Sequence, residues 1–128
     1  MGISKSIIIA MLSIVTFSIY SSEVFYCVDD DVTGFIVAEN YKPTTFEIQT
    51  FKAKIDFENE EIVSSDLIFL GYDAEYCTSW EDVLFCNNGL GTSFSISRLN
   101  LEYHRSSVFK TANQTDDIFV AHGSCENF

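Results

Sequence analysis

The residue types best suited to acid–base chemistry fall in LEYHRSS, from Leu101 to Ser107. On an extended chain, side chains two apart share a face and stand ~6–7 Å apart, so Glu102 and His104 form a carboxylate–imidazole couple. Arg105, Ser106 and Ser107 add the residue types of an anion binder and a nucleophile. No G-x-S-x-G elbow presents a serine, however. The expectation is a solvated pair on an outer face, with no catalytic residue and no enzyme activity. A small hydrolase using His104 with Glu102 or Ser106 is the competing reading.

His122, in FVAHGSC, is the other histidine. It meets His104 only if their strands are neighbours, and two histidines alone do not define a ligand set. Asp29, Asp30 and Asp31 are weak calcium candidates, because calcium takes several oxygen ligands. DDDVTGF lacks the D-x-[DN]-x-[DN]-G order, and neighbouring acids on a strand point in opposite directions. A solvated turn is expected there, with no metal and no cofactor. Trp80, in TSWEDVLF, either caps one end of the core or anchors a partner.

NNGLGTS carries G-x-G with no lysine and runs into an alternating segment, so it fails as a phosphate loop or dinucleotide fingerprint. Asn88-Gly89 instead predicts a turn between two strands. NQT at 113–115 fits the glycan acceptor pattern.

The elements holding these residues are strands. In FKAKIDF, Phe51, Ala53, Ile55 and Phe57 alternate with Lys52, Lys54 and Asp56, the mark of a half-buried strand. A hairpin is predicted to open at Phe51 and close near Leu70, turning at ENEE. Further strands are read at 24–28, 33–37, 83–87, 92–97, 101–105 and 118–122, with weak helical alternatives at 39–50 and 78–82. The fold class is therefore all-β, a small antiparallel meander closing into a barrel or sandwich. Rings should turn inward and titratable groups outward.

The first 21 residues read as a signal peptide, with Lys5 ahead of an apolar run from Ile7 to Tyr20. Residues 22–128 then form a single disulfide-stapled β domain. The full chain carries a net charge of −12, and removal of Lys5 makes it −13. Such a surface disfavours nucleic acid and anionic membranes. Secreted or periplasmic localisation follows, and the four cysteines become a disulfide framework. Spacing favours Cys77–Cys86 and Cys27–Cys125. The function expected is an exported acidic domain with a non-catalytic binding or structural role towards a protein or small molecule. The alternative is a small-ligand carrier with a pocket inside a barrel.

Overall fold

A computed structural model describes residues 22–67, 76–108 and 117–127. The leader (1–21) and the NQT pattern (113–115) lie outside the described residues. Among the described residues there are nine strands: β1 (Glu23–Ile36), β2 (Lys42–Thr45), β3 (Thr50–Asp56), β4 (Glu61–Ser65), β5 (Tyr76–Trp80), β6 (Val83–Asn87), β7 (Thr92–Ser97), β8 (Glu102–Ser107) and β9 (Ile118–Asn127). All their pairings are antiparallel. The two weak helices are absent. Residues 39–50 hold the end of a single 3-10 turn, β2 and the start of β3, and 78–82 belong to the β5–β6 hairpin, where Glu81 takes a φ of 53°.

The sheet order is β4-β3-β1-β9-β8-β7-β6-β5, with β2 also on β1. This is a meander wrapped on itself: β1 and β9 pair, and among the described residues only the β4–β5 seam lacks a backbone ladder. At that seam the Ser79 amide donates to Glu60 Oε2 at 3.0 Å. The sheet is thus nearly closed into a barrel, which removes most of its free edge.

The core comes from alternate residues. Phe25, Phe51, Ile55, Leu84, Phe94, Ile96 and Tyr103 are all buried. Phe51 meets Tyr103 edge-on at 5.3 Å, and Phe94 stacks on Tyr103 at 5.7 Å. Burial of such rings is the main stabilising term. The expectation that rings turn inward needs correcting at the surface, where Tyr76 and Trp80 are 65% and 77% exposed.

The predicted turn at 29–31 is also replaced. Strands read separately at 24–28 and 33–37 are one strand, β1, carrying a bulge. Asp29 faces Gly123 and Asp31 faces His122, leaving Asp30 as the extra residue. The bulge shifts the inward set from Phe25, Cys27 and Asp29 to Val32, Gly34 and Ile36. Opposite it the neighbouring strand breaks, with β3 serving the first half of β1 and β2 the second. Two backbone bonds bridge the gap, Asp29 N to Gln49 O and Phe46 N to Val32 O.

Both disulfides join residues directly opposite in register, Cys27–Cys125 across β1–β9 and Cys77–Cys86 across β5–β6. Two cystines imply an oxidising extracellular or periplasmic-type compartment. Among the described residues, no helix is long and apolar enough to cross a membrane.

Candidate functional site

Asp29 continues the inward phase of Phe25 and Cys27 and points into the barrel just before the bulge, against the expectation that titratable groups face outward. Its carboxylate accepts from Arg105 Nε at 3.0 Å and from Arg105 Nη2. It also accepts from the Tyr103 hydroxyl at 2.6 Å and from the backbone N–H of Gln49 at 2.9 Å. Asp29 is 1% exposed and Arg105 9%. Burial alone would raise the Asp29 pKa, but these donors, Arg105 foremost, hold the carboxyl below the ordinary range. Burial, and then the hydrogen bond to Asp29, push the Tyr103 phenol far above its usual range. Neither group is therefore tuned to exchange protons near neutrality.

Arg105 carries this network to a recess on the barrel that Gln49 also lines. The recess encloses about 480 Å³, and its apolar lining includes Val32, Phe46, Leu67 and Phe119. Arg105 also borders it, with Phe119 packed over the guanidinium at 4.9 Å. The pair with Asp29 fixes that guanidinium, so its remaining edge offers donors to a ligand without reorganising.

The sequence-derived candidates lie elsewhere. Glu102 and His104 share the exposed outer face of β8. His122 is the direct partner of His104 across β8–β9, so the two imidazoles are neighbours. The three acids do not gather as one oxygen cluster, because Asp29 is inward while Asp30 and Asp31 both point out. Both outward acids flank His122, with Asp31 Oδ2 at 3.3 Å from Nε2 and Asp30 Oδ2 at 3.7 Å from Nδ1. Ser106 shares the face of His104, but its hydroxyl is 2.7 Å from that of Ser93. Trp80 stands at the end of the β5–β6 hairpin.

Sequence reasoning missed the Asp29–Tyr103–Arg105 network. The signal was present: Tyr103 and Arg105 are both at inward spacing on β8, and an inward arginine needs a buried acid.

Comparison of the chain with protein-family models, with curated proteins and with solved structures finds no match.

Proposed function

We propose that this chain is an exported, non-catalytic binding domain that takes a small amphipathic molecule on the barrel. The recess over Arg105 carries this reading: Val32, Phe46, Leu67 and Phe119 suit a ring or short chain, the fixed guanidinium edge suits an acceptor group, and Glu47 and Asp117 add polar groups to the same lining. The barrel interior is occupied by Phe51, Phe94 and Tyr103, so the ligand sits outside the core.

The test is a fluorescence titration of the disulfide-intact protein with anilinonaphthalene sulfonate, an apolar ring system bearing an anionic acceptor. Saturable one-site binding is expected, weakened at least tenfold, about 1.4 kcal/mol, by Leu67→Glu and by Phe46→Glu, with unchanged circular dichroism. Absence of saturable binding, or equal affinity in both variants, would overturn the proposal.

A second reading rests on the exposure of Trp80 and Tyr76 on a cystine-braced hairpin, a rigid aromatic display suited to a protein partner. Capture from the native extracellular fraction that survives Trp80→Ala would count against it.

A further inference from the structure

His122 is flanked by carboxylates at both ring nitrogens, and the two sides differ. On the Nε2 side, Asp31 Oδ2 stands at 3.3 Å. On the Nδ1 side, Asp30 Oδ2 stands at 3.7 Å, too far for a hydrogen bond. A tetrahedral zinc ion with nitrogen and oxygen ligands at ~2.0–2.2 Å holds such donor atoms about 3.4 Å apart. Both gaps are close to what one ion would bridge, but only the Asp30 side opens onto the recess shared with His104.

The remaining donors are in place around the Asp30–His122 gap. His104 is the register partner of His122, and Cβ atoms of such pairs lie ~4.5–5.5 Å apart. Asp30, Glu102, His104 and His122 line one recess of about 260 Å³ on the outside of the barrel. Asp31 does not line it and stands behind the ring at the other nitrogen. A carboxylate on the non-coordinating nitrogen is how ligating histidines are commonly oriented.

We propose that this recess binds one divalent transition-metal ion, zinc or copper, through His122 Nδ1, His104 and Asp30, with Asp31 orienting the His122 ring. Glu102 or water completes the coordination. Two imidazoles select these ions over calcium, and the net charge of −12 concentrates cations near the surface. Among the described residues, no group of three or more ligating side chains is placed to hold a metal ion. Binding therefore includes rotation of the exposed His104 side chain, a fast and inexpensive motion. The bulge is what makes the site, because without the extra residue Asp30 and Asp31 would point to opposite faces.

The test is calorimetric titration of the full disulfide-intact protein with zinc chloride, and copper(II) electron paramagnetic resonance on the same material. The wild type should take up one zinc per chain. Affinity should fall at least tenfold in His122→Gln, His104→Gln and Asp30→Asn, and less in Asp31→Asn. The copper spectrum should show coupling to two nitrogens, reduced to one in His104→Gln. No zinc uptake, or wild-type affinity in either histidine variant, overturns the proposal. All four positions are exposed, so the variants should keep the fold, which far-ultraviolet circular dichroism checks. The outcome is independent of the recess over Arg105, which shares no residue with this site.

Discussion

At the scale of single residues, Asp29 organises the interior. A buried charge of this kind is tolerated only with its partners present. Arg105→Met should therefore lower the unfolding free energy by about 3–5 kcal/mol, since it strands the Asp29 carboxylate. Replacing both residues together, as Asp29→Leu with Arg105→Met, should recover much of that loss, and urea denaturation measures both. Tyr103→Phe keeps the stacked ring and removes one donor, for a loss of about 1–3 kcal/mol. The pH dependence follows from the depressed pKa of Asp29. Its contribution is fully present above the unfolded-state value near ~3.9 and disappears as pH falls through the lower folded value. Urea midpoints followed from pH 7 to pH 2 should show this acid-side loss. It should be smaller in Tyr103→Phe, whose Asp29 pKa moves back towards normal.

Between elements, the close approach of β9 to β1 and to the Tyr103 side chain of β8 rests on Gly123. At Gly123 an added Cβ would lie 2.1 Å from Val28 O and 2.6 Å from the Tyr103 hydroxyl. Neither can move without disturbing the β1–β9 ladder or the hydrogen bond to Asp29. Gly123→Ala should therefore destabilise by about 3 kcal/mol, the upper end of overpacking effects, with a matching fall in thermal midpoint. This level also shows what the sequence could reveal. β3, β7 and β8 were legible because their alternation is clean, as in Phe51-Ala53-Ile55 and Phe94-Ile96, and one face must be apolar to be buried. β1 was not, because three consecutive acids mimic a turn. Its buried phase moves from odd positions at Phe25 and Cys27 to Val32, the slip a bulge produces, but VFYCV is apolar on both faces and hides that phase in the sequence. The partner of Asp29 was hidden for a different reason: Arg105 lies 76 residues away, and only the wrapping of β8 and β9 onto β1 joins them. The same slip sends Asp30 and Asp31 to one face. The carboxylates around His122 were thus no more readable than the bulge itself.

For the whole molecule, closure is the property that the two cystines divide unequally. Cys27 and Cys125 are 98 residues apart and lie on β1 and β9, the pair that closes the chain's first described strand onto its last. Cys77 and Cys86 are nine apart and brace one hairpin beside the β4–β5 seam. In the chain-entropy account, the long loop contributes about 4–5 kcal/mol and the short one about 3 kcal/mol. The location of each loss should differ more than its size. Without Cys27–Cys125, β1 and β9 still pair through ten register positions, but the unfolded chain regains its long-range freedom, so global stability falls. Without Cys77–Cys86, β5 has one paired neighbour, β6, and the Glu60–Ser79 bond across the seam, so opening is local. Paired alanine replacements separate the two cases. Cys27→Ala with Cys125→Ala should lower the urea midpoint more, and should accelerate amide exchange throughout the core strands in parallel. Cys77→Ala with Cys86→Ala should accelerate exchange first in β5 and β6, while protection in β1, β8 and β9 falls less. Uniform acceleration in both proteins would mean that the barrel opens as one unit and that its seam is no weaker than the rest.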